Sequence, residues 1–466
     1  MISSLLRYFV GSAALGVVTV ACSRVTPLTS HAAPAPFDSA LSVASFDSAW
    51  TRIKNTYYDT TFRGHDWGAV RTTFRPIAVR ARSIADTRQA IESLFVRLGD
   101  SHFALIPGDI ASAISPRSPD TDTTSPGTIG MQTRLIGERL LVSYVAPNSP
   151  ASSAGIRAGW EVTDVDDLPV GRTLAARRAL QNPRARRRAG FQIPLRVDAA
   201  THGPSGSKVR LAFRRPDGRS LHRELIRSEY AGEVVHYGFL PPQYFEFEHA
   251  RYADDHGCVG VIRFNVWMVP LLPHLERAMD DLSSCRGVVV DLRGNVGGVA
   301  ALIMGASGFF VEQEVSLGTL SPRGNRLRYV VNPRRSNRRG DRTTPFSGSV
   351  AVLVDGLSAS TSEIFAAGMR DIGRARVFGD TTAGEALPAA MARLPNGDLL
   401  IHAVADFHSP SGARVESTGV VPDVVVPLTR RDLIAGRDPA LAASMAWAGD
   451  VSAVGGVRVT QRPLQP

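Results

Sequence analysis

The sequence predicts an α/β core, a mixed and substantially parallel sheet with helices, joined to an N-terminal helical region and a β-rich module. From about residue 250, apolar runs of strand length alternate with helical patterns: VGVIRF, Leu271 to Leu282, GVVVDLR, a segment after Gly298, VAVLVD and a segment ending at Met369. Such alternation builds parallel sheets through helical crossovers and places loops at the strand C-terminal ends, where sites form. Ahead of it, residues 127–228 show short strand-and-turn patterns and residues 41–111 show helical periodicity. A chain of 466 residues is long enough for roughly two to four folded units.

Composition narrows the class further. Apolar residues at 44% and charged residues at 21%, with a mean hydropathy of -0.03, exclude a disordered or multi-spanning chain. Lys plus Arg total 53 against 43 Asp plus Glu, a net charge of +10. Only Lys54 and Lys208 are lysines. The arginines are scattered apart from the tight run Arg184, Arg186, Arg187 and Arg188, so no nucleic-acid partner is expected.

Residues 1–21 read as a signal peptide, with Arg7 in a basic n-region and an apolar stretch from Tyr8 to Ala21 too short to span a membrane comfortably. Cys22 follows small residues and is a candidate lipidation site and membrane tether, although Thr19 departs from the usual lipoprotein pattern. The competing reading is ordinary cleavage after Ala21 or Ala32. Either way the chain is exported: periplasmic or anchored in the cell envelope, alternatively secreted. Residues 22–40, rich in Pro, Ser, Thr and Ala, read as a flexible tether.

Within 41–111, Phe46, Trp50, Ile53 and Tyr57 mark one amphipathic helix. A second begins at Asp86, which with Gln89 resembles a capping box, and buries Ile91, Leu94, Phe95 and Leu98. Gly99 stops it, and Asp100-Ser101-His102 follows. The segment 229–445 forms the core and 446–466 a tail. Cys258 and Cys285 each begin an apolar run and are either buried free thiols or a disulfide, which an oxidising compartment allows. No Cys/His spacing suggests a metal site, and no cofactor is expected.

Chemistry concentrates at two strand ends. Val350 to Asp355 reads as a strand running into Gly356-Leu357-Ser358-Ala359-Ser360-Thr361-Ser362-Glu363 and then a helix. A serine at such a turn sits at the positive end of the helix dipole beside free backbone N–H groups, which suits a nucleophile and its oxyanion, though a plain N-cap wants the same residue. Asp291-Leu292-Arg293-Gly294-Asn295-Val296-Gly297-Gly298 ends another strand, and its paired glycines suit either an oxyanion hole or a tight turn.

Residues 127–228 resemble a PDZ domain, with Gly130-Met131 at the peptide-carboxylate loop and Ser149-Pro150-Ala151, Ala154-Gly155 and Ala158-Gly159 as small-residue landmarks. Gly159-Trp160 stands where Gly-Asp is usual, and 175–207 reads as an insertion. Such a module captures an extended peptide as an added strand. DLRGNVGG, LSASTSEIFAAGMRDIGRARVFGDTTAG and VESTGVVPD together resemble the C-terminal processing, or tail-specific, serine peptidases. The resemblance implies a serine endopeptidase acting on extracytoplasmic proteins or peptides, near their C-termini, through an acyl-enzyme on Ser360, with Thr361 and Gly297 or Gly298 as the oxyanion hole.

One branch of that family uses a lysine base in an FGKG segment. Here the segment is AGEA and Glu385 stands at the lysine position. The tricorn-like branch implies instead a tetrad of Ser360 nucleophile, His102 base, Ser101 orienter and Glu416 supporting carboxylate, with His102 within reach of Ser360. His402 and His408 are alternative bases, and Glu385 is a supporting acid, a substrate contact or a solvated side chain. The non-enzyme alternative is an inactive envelope module that binds peptide C-termini or lipid.

Overall fold

The computed structural model describes residues 37–108, 125–230, 232–236, 238, 243–255 and 257–449. The residues read as a signal peptide, Cys22, most of the tether and the tail beyond residue 449 lie outside the described residues, while residues 446–448, expected in the tail, finish the helix Pro439–Ala448. The chain divides into two compact units, one holding residues 37–108 and 389–404, the other 125–388 and 405–449 of the described residues. The class is mixed α/β with helices and several sheets.

The smaller unit is built on three helices, α1 (Ser39–Thr56), α2 (Trp67–Val79) and α3 (Ile84–Leu98). Asp38 caps α1 by accepting from the Ala40 and Leu41 amides at 2.8 and 3.1 Å, and Phe46, Ala49 and Ile53 form its buried face. The sequence pattern did not mark α2, which Asp66 caps. Helix α3 starts two residues earlier than expected. The Ser83 hydroxyl accepts from the Asp86 amide at 3.1 Å, so Ser83 is the cap and Asp86 its third-position partner. Gly99 ends the helix at φ 66°, left-handed backbone that glycine adopts without strain.

Residues 389–404 depart from the expected continuous core at 229–445. Their strands Ala389–Arg393 and Leu399–Ala403 form a hairpin to which Ala104–Ile106 adds antiparallel. The fully buried Asp398 fastens that arrangement, taking Arg88 Nε and Nη2 at 2.9 and 2.8 Å and the Gly108 amide at 2.7 Å. A stretch that lies inside the core in sequence therefore closes the N-terminal unit.

The larger unit opens with a five-stranded antiparallel sheet running from Met131–Ile136 to Ser220–Ile226. Residues 175–207, read as an insertion, include the helix Val170–Ala179 in part and all of α4 (Pro183–Thr201). Ile193 and Val197 of α4 belong to the same apolar core as Ile129, Val142 and Phe213. They are structural to the module because their apolar face fills it.

A six-stranded sheet follows in the order β1 (Phe247–Asp254), β2 (Gly257–Phe264), β3 (Gly287–Asp291), β4 (Ser349–Val354), β5 (Ala375–Gly379) and β6 (Val424–Val425). The β1–β2 pair is antiparallel and the rest are parallel. The terminal helix Pro439–Ala448 covers one face, packing Ala440, Leu441 and Ala448 on Val261, Val289, Leu353 and Phe378. Among the described residues no helix is long and apolar enough to cross a membrane.

Cys258 and Cys285 form a disulfide with Cα atoms 4.6 Å apart, which settles the open choice against free thiols. It joins β2 to the residue leading into β3 across 27 positions of chain. Cross-linking a loop of that length stabilises the fold by about 3–4 kcal/mol on the chain-entropy scale. Replacing both cysteines by alanine is expected to lower the denaturant midpoint correspondingly, while reductant lowers the wild-type midpoint and leaves the double variant unchanged.

Candidate active site

The parallel strands β3 and β4 deliver two loops side by side. Three serines punctuate the loop after β4, and their surroundings separate them. Ser358 is buried, donating to Leu292 O at 2.7 Å and accepting from the Asp355 amide at 2.9 Å. Ser362 is buried and accepts from Trp267 Nε1 at 2.9 Å. Ser360 between them is partly exposed and opens α5 (Thr361–Asp371) at φ 54° and ψ -118°. Left-handed φ at a serine carries strain of order 1–3 kcal/mol and persists only where the surroundings enforce it.

The enforcing group is the carboxylate of Glu363, fully buried on the first turn of α5. Its Oε2 accepts from the Ser360 and Glu385 amides at 3.0 and 2.9 Å. Oε1 accepts from the Gly384 amide at 2.7 Å and from the Thr382 hydroxyl at 2.5 Å. The Ser360 amide also donates to Glu385 O at 2.9 Å, so position 385 abuts the serine through its backbone. Burial pushes the Glu363 carboxyl from its ordinary 4.5 up to about 8, against the four donors, which draw it down.

The loop after β3 is held with equal care. Arg293 bonds both Asp291 and Asp438, and although burial works the other way, Arg293 holds Asp291 down at about 2. The fully buried Asn295 donates to Phe264 O at 3.0 Å and accepts from the Gly297 amide at 3.0 Å. Its carbonyl takes the Ala359 amide at 3.1 Å, which binds one loop to the other. Gly297 has φ 99°, and a Cβ there would stand 2.7 Å from Ser360 Cβ. Only glycine permits this approach. The Thr361 hydroxyl donates to Gly298 O at 3.0 Å.

Below the loops, Asp355 accepts from the Gly294, Leu357 and Ser358 amides at 2.9, 2.9 and 3.1 Å and from Arg134 Nε at 2.6 Å. Burial would raise its pKa, yet Arg134 and these amides hold it below the ordinary carboxylate range. Arg134 comes from the strand Met131–Ile136, so the β-rich module reaches the nucleophile loop. Helix α4 reaches it too. Phe191 and Leu195 form an apolar cluster with Leu357, Ala359 and Ala383.

The arginine run lies on the same helix. Arg184 Nη2 donates to Glu416 Oε1 at 3.2 Å, Arg187 donates to Thr418 O, and Arg188 Nε stands 3.8 Å from Glu385 Oε1. Glu416 is buried and its Oε2 accepts from the Ala386 amide at 2.9 Å.

The larger unit thus gathers Ser360, Thr361, Gly297, Gly298, Glu385 and Glu416. Ser101 and His102 belong to the smaller unit, where Ser101 Oγ and His102 Nδ1 are 2.7 Å apart. His402, also there, is buried on the strand Leu399–Ala403 with Nδ1 3.2 Å from Thr56 Oγ1, and burial pushes it down to about 4. His408 ends the strand Ala405–His408, which pairs with Val315–Pro322. Gly130 has φ 70° and its amide donates to Thr128 Oγ1 at 3.1 Å, while Met131 is buried. Sequence reasoning missed Glu363, Asn295, Asp355 and Arg134. Only Glu363 carried a signal, the Ser-x-x-Glu spacing of a capping box. Among the described residues no cluster of His, Cys, Asp and Glu could hold a metal ion.

Residues 258–426 match the family model of peptidase family S41, and residues 44–95 match that of the Tricorn protease C1 domain. The chain is 24% identical over 386 residues to a carboxyl-terminal-processing protease of Picosynechococcus sp., spanning 81% of this chain and 82% of that one. It is 27% identical to the chloroplastic carboxyl-terminal-processing peptidase 2 of Arabidopsis thaliana, over 82% of this chain and 68% of that one. In fold it is similar to the photosystem II D1 C-terminal processing protease, with a TM-score of 0.58 at 21% identity over 88% and 97% of the two chains. Mature CPAF is similar in fold as well, with a TM-score of 0.55 at 14% identity over 85% and 94%.

Glu363→Gln keeps the shape of that side chain but turns N–H groups toward donors, leaving some of the four unpaired at about 1–3 kcal/mol each. Lower stability and lower activity are expected. A folded-state pKa near 8 against 4.5 means that the folded chain keeps a proton the unfolded chain has lost between those values. Wild-type stability from this group therefore falls as pH rises from 4.5 to about 8, and the variant lacks that fall. Denaturant unfolding of both proteins across this range should show the gap between them narrowing with pH.

Proposed function

We infer that this chain, which carries a peptidase family S41 domain over residues 258–426, works as an exported serine endopeptidase that cleaves extracytoplasmic proteins or peptides near their C-termini. The single observation that carries the reading is the strained, partly exposed Ser360 at a helix start, held against Gly297 by a buried carboxylate. An inactive binding module has no use for such a turn.

The proposed chemistry proceeds as follows. The Ser360 hydroxyl oxygen attacks the scissile carbonyl carbon, and its proton passes to the His102 imidazole. Negative charge gathers on the carbonyl oxygen. The Gly298 and Thr361 amides are the donors assigned to it, because the Gly297 amide is taken by Asn295 and the first amide of a helix has no intrahelical acceptor. His102 then returns the proton to the leaving amine, and water releases the acyl group by the reverse sequence. Ser101 is assigned as the orienter: its hydroxyl lies 2.7 Å from His102 Nδ1, and in the tautomer where it accepts from Nδ1–H, Nε2 is available as base. Glu416 is assigned a supporting role: it holds the Ala386 amide, next to the Glu385 carbonyl that receives the Ser360 amide.

Ser360→Ala is expected to lose activity by on the order of 10⁴-fold with an unchanged fold, and to lose reaction with a fluorophosphonate. Full turnover by this variant would end the serine-peptidase reading. His102→Ala should lose most activity while Glu385→Ala loses much less; the reverse ranking would transfer the base to the carboxylate.

The PDZ-like role proposed for 127–228 draws support from the strand Met131–Ile136, which pairs on one side alone among the described residues. A free-acid peptide is expected to bind more tightly than its C-terminally amidated twin. Equal affinity in calorimetry would leave the strand edge, without the Gly130-Met131 loop, as the binding feature.

A further inference from the structure

The turn Gly99 to Phe103 leaves α3 and enters the strand Ala104–Ile106 within five residues. It carries Ser101, 1% exposed, and His102, whose φ of 58° is left-handed and therefore strained for a histidine. Both flanks are anchored. On one side Asp100 is completely buried, and its Oδ2 accepts from the Tyr57 and Tyr58 hydroxyls, the latter at 2.7 Å. Arg63 Nη2 stands 3.2 Å from its Oδ1. On the other side Phe103 lies between Tyr57 and Phe95, with ring centroids 5.8 and 5.6 Å away.

The anchors are themselves fixed. The Tyr57 amide caps α1 on Ile53 O at 2.9 Å, and its ring stacks on Phe62, which stacks in turn on Trp67. Asp59 takes the Thr61 amide at 2.9 Å and the Arg63 amide at 3.0 Å, closing the tight turn from which Arg63 projects. A buried carboxylate surrounded by two phenols and a guanidinium is an expensive arrangement, which a helix end with a glycine cap does not need.

We propose that Asp100, held by Tyr57, Tyr58 and Arg63, is the positioning residue that keeps the Ser101-His102 turn in its strained, working geometry. The inference rests on His102 being the base of the proposed reaction. Asp100 touches neither substrate nor the reacting atoms; it acts through the backbone of the next two residues. Misplacing a catalytic group by about 1 Å is enough to lose on the order of 10²-fold in rate, whereas peptide binding elsewhere is untouched.

The test uses the full chain and a fluorogenic peptide that the wild type cleaves. Asp100→Asn keeps the size but cannot accept from all three donors, and kcat is expected to fall by on the order of 10²-fold with KM within about twofold of wild type. Arg63→Gln should lose kcat in the same way, and Arg63→Lys should recover most of it, because the charge facing Asp100 returns. A purely structural role would move thermal midpoints in all variants and leave kcat of the folded protein alone, and that result overturns the proposal. Should Asp100→Asn fail to fold, Tyr58→Phe removes one donor, the hydroxyl of a half-buried side chain; a folded Tyr58→Phe protein with wild-type kcat, together with no difference between Arg63→Gln and Arg63→Lys, overturns it equally. His102→Ala separates the two layers. If that variant is inactive and Asp100→Asn is not, positioning by Asp100 falls and the base stands; if it is fully active, the base assignment falls first.

Discussion

Everything around Ser360 depends on one buried carboxylate. Glu363 receives four donors from three places in the chain, the nucleophile turn, Thr382 and the 384–385 backbone. A helix start normally leaves its first amides to water or to a capping side chain. Here the cap is inward and shared, so the serine's backbone cannot relax from left-handed φ without breaking bonds to another segment. The strain at Ser360 and the desolvation of Glu363 are two sides of one constraint: neither is tolerable alone, and each makes the other persist.

The same logic extends outward through α4. Its apolar face packs against Leu357, Ala359 and Ala383 beneath the nucleophile turn, while Arg184 and Arg188 lie along the carboxylates of Glu416 and Glu385. Arg134, from the neighbouring strand, carries the load on Asp355. A module that by sequence could be a detachable peptide binder is thus continuous with the walls of the site. Its movement would be felt at Ser360 through packing as well as charge.

How much of this the sequence disclosed follows from range. Ser360 and the paired glycines stood out because a strand end, a turn and a helix start are written in consecutive residues. So was the mixed α/β class, since each strand and helix carries its own period. Glu363 was half visible, three residues from Ser360. The partners that give these groups meaning were not: Arg134 lies 221 positions from Asp355, Arg184 lies 232 from Glu416, and Tyr57 lies 43 from Asp100. The packing of helix α4 was not legible because its polar run of arginines comes first, and the apolar residues that bury it come only later, from Phe191 onward. The hairpin at 389–404 was placed in the wrong unit because nothing local says which edge it will join.

On the proposed reading, Glu385 stands where one branch of the family resembled has its lysine base, and the base is sought elsewhere. A carboxylate is by nature a weak base for a serine hydroxyl, and that of Glu385 stands 3.8 Å from Arg188 Nε. What Glu385 retains is its backbone: the carbonyl accepts from Ser360 and the amide donates to Glu363. The position is therefore structural to the nucleophile through its backbone. On the proposed reading the two halves of catalysis are built by different physical means. Charge stabilisation relies on backbone amides locked by Asn295 and Glu363. Proton transfer relies on a histidine whose turn is locked, independently, by a second buried carboxylate, Asp100.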